Sequence, residues 1–157
     1  MQKTLKRYFG DVLSDKMLKD GGELEGEIKW VSVLFTDLSS YSTITENMSP
    51  EIALEFLNEY FTKMHDVIEK HGGQILNYIG DAIMVVFGAP IARDDDAERA
   101  VQTAIGMVES LKKFNDKRVK KGKVPINAGI GINKGKVISG NIGSKDHSLS
   151  IYCLLYT

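Results

Sequence analysis

Two aspartates stand where predicted strands end, and their carboxylates could together bind a divalent cation. Asp37 directly follows a run of β-branched and aromatic residues, 30–36, and Asp81 closes the Gly80-Asp81 pair between two short apolar runs. If these strands are neighbours, both carboxylates emerge at one edge of the sheet. Mg²⁺ typically binds one or two protein carboxylates and completes its shell with phosphates and water. Each aspartate alone also fits an ordinary turn or capping role, so only their pairing favours a metal site.

The segment after Asp37 is rich in small hydroxyl residues, which suits the binding of phosphate groups. Residues 38–43 read Leu-Ser-Ser-Tyr-Ser-Thr. At the start of a helix, such residues leave backbone N–H groups free to meet a triphosphate. An ordinary polar connection has the same composition, and the residues alone favour that simpler interpretation.

Other reactive side chains have no partners at a useful spacing. The three histidines are scattered, and the single cysteine, Cys153, has no neighbouring base. No Walker-type loop occurs, so a nucleotide would not be held as in a P-loop enzyme. The Lys-rich stretch 112–121 could attract a polyanion, but it fits better as the exposed end of a helix, where cations offset the helix dipole.

Hydrophobic periodicity predicts the elements that must position these residues. Helices are predicted over 1–20, from Pro50 to 71 with Ser49 as the N-cap, and over 94–111. The buried stripe predicted for the last helix comprises Ala97, Ala100, Val101, Ala104, Ile105, Val108 and Leu111. Strands are predicted over 30–36, 74–79, 82–87, 126–132 and 136–142, with a tight turn at 80–81 and another at 133–135. This order implies an α+β architecture in which helices pack on a mixed sheet.

The bulk composition fits one soluble domain and excludes several classes of protein. The chain has 157 residues and a net charge of −1, so its charge does not favour binding to nucleic acid. One cysteine rules out an internal disulfide framework and favours a reducing compartment. No apolar run is long enough to span a membrane. We therefore expect a cytoplasmic chain, and the natural protein could still be tethered to a membrane.

Three segments, in order, resemble the motifs of class III adenylate and guanylate cyclases. Residues 35–42 (Phe-Thr-Asp-Leu-Ser-Ser-Tyr-Ser) resemble the first metal motif, and residues 78–90 (Tyr-Ile-Gly-Asp-Ala-Ile-Met-Val-Val-Phe-Gly-Ala-Pro) resemble the second. Residues 129–143 resemble the hairpin that follows in the family. The resemblance covers roughly residues 5–144. It implies that the chain has an incomplete version of the family's fold, which is a ferredoxin-like or palm-type mixed sheet with helices packed on it.

The resemblance also implies an activity, a cofactor and a set of site residues. ATP or GTP would be converted to a 3′,5′-cyclic nucleotide and pyrophosphate on two Mg²⁺ or Mn²⁺ ions, with cAMP favoured as the product. The family works as head-to-tail dimers with sites at the interface, which implies a homodimer and no nucleic-acid partner. The metals would be held by Asp37, Asp81 and Leu38, and the substrate by Leu38, Ser39, Ser40, Tyr41, Ser42, Asn77, Gly80 and Lys136.

Two departures from the family pattern bear on function. The position that reads the purine is often Lys in adenylate cyclases and Glu in guanylate cyclases, but here it is Asn77, which can both donate and accept hydrogen bonds. After Gly143 the family continues with an Ile-Gly-Asp strand and an Asn-x-x-x-Arg helix, and residues 144–157 contain neither pattern. The apolar residues of this tail could still pair as a strand.

These observations divide the chain into three parts and leave two functions open. Residues 1–22 are interpreted as a connector helix that could continue an upstream sensor domain, 23–143 as a partial catalytic domain, and 144–157 as an atypical tail. The first hypothesis is an active nucleotidyl cyclase, and the alternative is an impaired module that binds metal-nucleotide or dimerises. A diguanylate cyclase is set aside because residues 78–82 lack that family's Gly-Gly-Asp/Glu-Glu-Phe motif.

Overall fold

The computed structural model describes residues 27–89, 91–139 and 154–155 of the 157-residue chain. The strands are β1 (Glu27–Ser39), β2 (Gln74–Ile79), β3 (Ala82–Phe87), β4 (Asn127–Ser139) and β5 (Leu154–Leu155), and the helices are α1 (Tyr41–Thr45), α2 (Pro50–Lys70) and α3 (Asp96–Lys120). The predicted connector helix over 1–20 lies outside the described residues, as does most of the tail.

The five strands form one sheet in the order β2-β3-β1-β4-β5. This arrangement confirms the α+β fold with helices packed on a sheet. All the described pairings are antiparallel, where the sequence predicted a mixed sheet. The reason is that β3 returns directly from β2 and inserts beside β1, so that described strands running in the same direction are never neighbours in the sheet. The short pairing of Leu154–Leu155 with β4 agrees with a strand in the apolar tail.

One predicted hairpin is wrong: residues 127–139 form a single strand. The predicted turn at Asn133-Lys134-Gly135 lies inside β4 and pairs with residues 31–33 of β1. A tight hairpin turn needs residues with positive φ, and Gly135 is not among the described glycines that have one. The 13-residue β1 offers a hydrogen-bonding edge along the whole length of β4, so an extended strand gives partners to all the β4 backbone groups that face β1.

The two long helices begin and end for local reasons. Ser49 caps α2, because its hydroxyl accepts a hydrogen bond from the backbone N–H of Ile52 at 3.4 Å, and Pro50 occupies the first turn. Helix α3 runs nine residues beyond the predicted end at 111, through Lys120. Lys117, Arg118 and Lys120 lie in its last turn, so the Lys-rich stretch is the end of a helix, as predicted. None of the described helices is long and apolar enough to cross a membrane.

The main core lies between the sheet and the two long helices. The buried side chains on α2 are spaced by four residues, and the equivalent set on α3 follows a similar stripe; together they comprise Phe56, Tyr60, Met64, Ile68, Ala100, Met107 and Phe114. The predicted stripe of α3 is only partly right. Ala100 is buried, and Ala104 and Leu111 pack partly buried against the core. Val101, Ile105 and Val108 are each about half exposed, which contradicts the prediction for these three. The helices meet instead near Gly106, where a Cβ would lie 2.8 Å from the Val67 side chain.

A partly buried arginine joins the N-terminus of α3 to the C-terminus of α2. Arg99 pairs with Asp96 and Asp95 on its own helix and donates to the carbonyls of His71 and Gly72, at 2.9 Å each. Its guanidinium also lies 5.5 Å from the centre of the Phe87 ring at the end of β3. One side chain therefore ties two helices and a strand at the end of the sheet away from Asp37.

We expect Arg99→Met to lower the free energy of unfolding by about 3–5 kcal/mol, because it leaves the buried Asp96 carboxylate without its charged partner and with only the backbone N–H of Arg93. Urea unfolding of the full chain measures this change. Glu69→Gln is the control, since it removes an exposed ion pair with His65 at 4.0 Å and should cost less than about 1 kcal/mol. Equal effects of the two substitutions would contradict the role given to Arg99.

Candidate functional site

The fold brings the two predicted aspartates to the same edge of the sheet. Asp37 lies near the end of β1, and β1 pairs with β3 up to Thr36 and Ile83. Asp81 lies in the turn that joins β2 to β3, immediately before Ala82. Gly80 has φ 62°, as a tight turn with glycine at its first central position requires. This turn therefore carries Asp81 back to the end of β1.

A hydrogen bond fixes the Asp81 carboxylate against β1. Its Oδ2 accepts from the backbone N–H of Leu38 at 3.2 Å, across 43 residues of sequence. The Leu38 side chain is buried in the core, so only its backbone faces the site. A backbone donor cannot be lost to a rotamer change, which makes the position of Asp81 depend directly on the end of β1.

The two carboxyl groups interact with each other. Burial raises the pKa of Asp81, and the Asp37 carboxyl raises it further through hydrogen bonding and through repulsion of like charges. The backbone N–H groups of Asp81 and Leu38 lower the same pKa and offset part of that rise. Two anionic oxygen donors that repel each other form an arrangement that a divalent cation would stabilise.

The donor set suits a hard cation that keeps part of its coordination shell for substrate. In the part of the chain that the structure describes, no three His, Cys, Asp or Glu side chains cluster in a way that could hold a metal. Two carboxylates and a backbone carbonyl leave several positions of an octahedron open. Mg²⁺ and Mn²⁺ bind in this way, with water and phosphate oxygens completing the shell, whereas structural zinc needs four protein ligands.

The hydroxyl-rich segment forms a turn into the short helix α1. Ser39 is the last residue of β1, and Ser40 has φ 59°, the only positive value among the described non-glycine residues. The Ser40 carbonyl accepts from the Ile44 N–H at 3.0 Å, so the helix begins directly after it. Tyr41 and Ser42 therefore occupy the first turn, where backbone N–H groups have no partner within the helix.

Two other predicted substrate residues lie at different distances from the aspartates. Asn77 is an exposed residue of β2, four positions before Asp81, and follows a register shift between residues 75 and 77. Lys136 pairs with Trp30, seven residues along β1 from Asp37, and its ammonium lies 5.5 Å from the Trp30 ring centre. Seven residues of strand span roughly 23 Å. Within one chain, Lys136 and Asp37 therefore belong to opposite ends of the sheet.

One residue near the site was not found from the sequence. Tyr60 is fully buried, and burial raises its pKa, with smaller contributions from the charges of Asp81 and Asp37. The Tyr60 and Thr36 hydroxyls lie near each other without a well-formed hydrogen bond. The available signal was a hydroxyl group within an otherwise apolar helical stripe, which the sequence pattern had assigned to packing alone.

Comparison with known proteins gives a consistent family. A sequence model described as the adenylate and guanylate cyclase catalytic domain matches residues 25–154. Adenylate cyclase 1 of Rhizobium meliloti (strain 1021) is 32% identical over 130 residues, which is 81% of this chain and 20% of that protein. The adenylate cyclase of Anabaena cylindrica is 39% identical over 117 residues, or 72% and 22% of the two chains. The chain thus spans about a fifth of the length of these curated relatives.

Solved structures agree with the sequence relatives. The guanylyl cyclase Cya2 superposes with a TM-score of 0.76 and 40% identity, over 82% of this chain and 65% of that one. A dimeric guanylyl cyclase domain of the RhoGC fusion protein from the aquatic fungus Blastocladiella emersonii gives a TM-score of 0.70 and 28% identity, over 85% and 71% of the two chains. Similarity to proteins named for either purine leaves the choice of base open.

The interaction between the two carboxyl groups predicts how pH changes stability. Because the folded chain holds the Asp81 proton more tightly than the unfolded chain, the stabilisation from this group is complete below the ordinary aspartate pKa. It is lost as the pH rises through the raised pKa. In metal-free buffer, we expect Asp81→Asn to raise the Tm relative to wild type increasingly between about pH 4 and pH 7. Thermal unfolding in the presence of EDTA measures the difference.

Two further results would support or contradict this prediction. The exposed Asp66→Asn on α2 is the control and should leave the pH profile unchanged. At pH 7, Mn²⁺ should raise the Tm of wild type but not of Asp81→Asn, because a ligand stabilises only the state that binds it. If Asp81→Asn lowered the metal-free Tm at neutral pH, repulsion between the carboxylates would not be the dominant interaction.

Proposed function

The chain belongs to the adenylate and guanylate cyclase catalytic domain family, and from this we propose that it forms a 3′,5′-cyclic nucleotide and pyrophosphate from a nucleoside triphosphate. The observation that carries the proposal is the joining of the two metal motifs by the Leu38 N–H to Asp81 Oδ2 hydrogen bond. Two carboxylates from distant parts of the sequence thereby face the segment that begins at Ser39. ATP is the substrate we favour, with GTP as the alternative.

In the proposed reaction, the ribose 3′-oxygen forms a bond to the α-phosphorus. The bond from that phosphorus to the bridging oxygen of the β-phosphate breaks, pyrophosphate leaves, and the 3′-hydroxyl proton passes to solvent. Two Mg²⁺ or Mn²⁺ ions, when bound, would acidify the hydroxyl and neutralise the phosphates. Asp37, Asp81 and the Leu38 carbonyl would hold these ions. The hydrogen bond from the Leu38 N–H to Asp81 keeps the two segments together.

The segment after Asp37 is suited to hold the triphosphate. Ser39, Ser40, Tyr41 and Ser42 follow the metal-binding residues directly and lead into the N-terminal turn of α1. Their backbone N–H groups and hydroxyls would donate to phosphate oxygens, and Gly80 keeps the opposite turn narrow and free of a side chain. These groups would bind and orient the phosphates so that the 3′-oxygen and the leaving oxygen lie in line.

The position of Lys136 supports a head-to-tail homodimer. Within one chain this lysine lies far from Asp37, so the phosphate contact that the family resemblance implies for it would be made at a second subunit's site. The dimeric fungal guanylyl cyclase domain among the structural relatives is consistent with such an assembly. The remaining four fifths of the curated relatives' length leaves room for an upstream sensor domain in the natural protein.

The alternative is a cyclase-fold module that binds metal-nucleotide or dimerises without efficient turnover. Arg118 is the last arginine of the sequence, and residues 144–157 contain no Asn-x-x-x-Arg motif. An arginine that stabilises the transition state of phosphoryl transfer can contribute about 10³- to 10⁵-fold to the rate. This chain would then bind the substrate through its carboxylates and the 38–42 segment but stabilise the transition state poorly.

A product assay on the purified full chain distinguishes the two functions. With ATP or GTP and Mn²⁺, we expect cyclic nucleotide formation that falls at least about 100-fold in Asp37→Ala, because the metal ligands are lost. Asp66→Ala, an exposed substitution on α2, should leave the rate unchanged. Metal-dependent nucleotide binding without product would support the module, and the absence of both binding and product would contradict both functions.

Asn77 supplies a second prediction, about the choice of purine. The amide can donate to or accept from either base, so we expect wild type to discriminate weakly between ATP and GTP. Asn77→Lys should shift the ratio of kcat/KM values toward ATP and Asn77→Glu toward GTP, each by roughly tenfold, as expected for one changed polar contact. If binding alone is detectable, the ratio of Kd values is measured instead. Equal shifts in both variants would exclude Asn77 from base recognition.

A further inference from the structure

A cavity of about 590 Å³ lies beside the segment that we assign to phosphate binding. Its walls come from α1, from the first turns of α2, and from the loop that links α3 to β4. This volume is within the range of small-molecule sites, which run from roughly 300 to 1,000 Å³. Neither Asp37 nor Asp81 lines the cavity, so the proposed reaction does not assign a ligand to it.

The interior combines apolar walls with one buried cation. Ile44, Met48, Ile52, Phe56 and Val124 supply the apolar lining. Arg118 is 93% buried and lies over the Phe56 ring at 4.7 Å. Burial lowers the pKa of Arg118, and the nearby Glu59 charge partly offsets this effect.

The Arg118 guanidinium has unused hydrogen-bonding capacity. Its Nε donates to the Val124 carbonyl at 2.9 Å, and that is the single hydrogen bond it makes to the described part of the chain. The two terminal amino groups carry four further N–H donors in a planar fork, which matches the two oxygens of a carboxylate. A buried arginine without a bidentate partner, in an open apolar cavity, is the group that recognises an anion.

The charges at the mouth of the cavity separate onto two sides. Glu55 and Glu59 are exposed on α2, whereas Lys121 and Lys123 are exposed on the opposite loop, beside Arg118. An anion is therefore attracted to the loop side and repelled from the α2 side. The apolar part of such a ligand would lie along Ile44, Met48 and Ile52.

We propose that this cavity binds a small organic carboxylate with an apolar body, whose carboxylate pairs with Arg118. Ser40 lines the cavity and belongs to the segment that we assign to phosphate binding, so a ligand in the cavity would contact that segment. The cavity is a site separate from the metal centre. The inference does not depend on cyclase activity, because its test measures binding of the carboxylate alone.

Isothermal titration calorimetry of the full chain with sodium decanoate tests the proposal. We expect saturable binding at one site, and binding of 1-decanol, which has the same chain without the charge, that is at least about tenfold weaker. Arg118→Met should weaken decanoate binding by at least about tenfold while leaving 1-decanol unchanged. No saturable decanoate binding by wild type, or equal affinity for the two ligands, would overturn the proposal.

A matched pair of surface variants keeps the test valid if Arg118→Met does not fold. Ile52 lines the cavity and Leu54 does not, and both are exposed residues of α2, at 52% and 60%. Ile52→Glu places a carboxylate on the apolar wall and should weaken decanoate binding by at least about tenfold, whereas Leu54→Glu should leave it within about twofold. Equal affinities of these two variants would assign the binding to the surface in general and overturn the site.

Discussion

The pairing of β1 on both of its edges is the constraint on which the rest of the structure depends. Its 13 residues pair with β4 along their whole length and with β3 over residues 32–36. Valines on one face and leucines on the other bury it between two apolar clusters. Side chains alternate between the two faces of a strand, so a one-residue slip would move every buried side chain of β1 to the wrong face. Pairing on both edges opposes such a slip. The positions of Asp37 and Leu38 follow from this register.

The site is therefore formed at a junction between elements that are stable for other reasons. The β2–β3 turn carries Asp81, and the end of β1 supplies both Asp37 and the backbone N–H that holds Asp81. Burial and the neighbouring Asp37 carboxyl raise the pKa of Asp81, so the charged form of this pair is disfavoured unless a cation offsets it. At the other end of the sheet, Arg99 joins α2, α3 and β3 through hydrogen bonds and one ring contact. The aspartate pair and the contacts of Arg99 thus lie at opposite ends of the same sheet.

The short helix α1 follows the end of β1, which carries Asp37, and it also lines the cavity beside Arg118. It consists of five residues and none of them is fully buried. A helix this short has little stability of its own, so its position depends on what packs around it. Contacts from the cavity and from a bound triphosphate would therefore act on the same small element.

Local signals in the sequence determined the elements whose geometry depends on near neighbours. Ser49-Pro50 and the period of α2 predict that helix, and Gly80-Asp81 between two apolar runs predicts the β2–β3 hairpin with the bounds that the structure has. The motifs around Asp37 and Asp81 identify the family. Only the tertiary structure decided that residues 133–135 continue a strand, that α3 buries Met107 rather than Val101 and Ile105, and that Lys136 lies far from Asp37. The physical reason is that a capped helix or a two-residue turn is specified by contacts within a few residues. The path of β4, the buried face of α3 and the approach of two carboxylates are specified by the long edge of β1, which no local pattern reports.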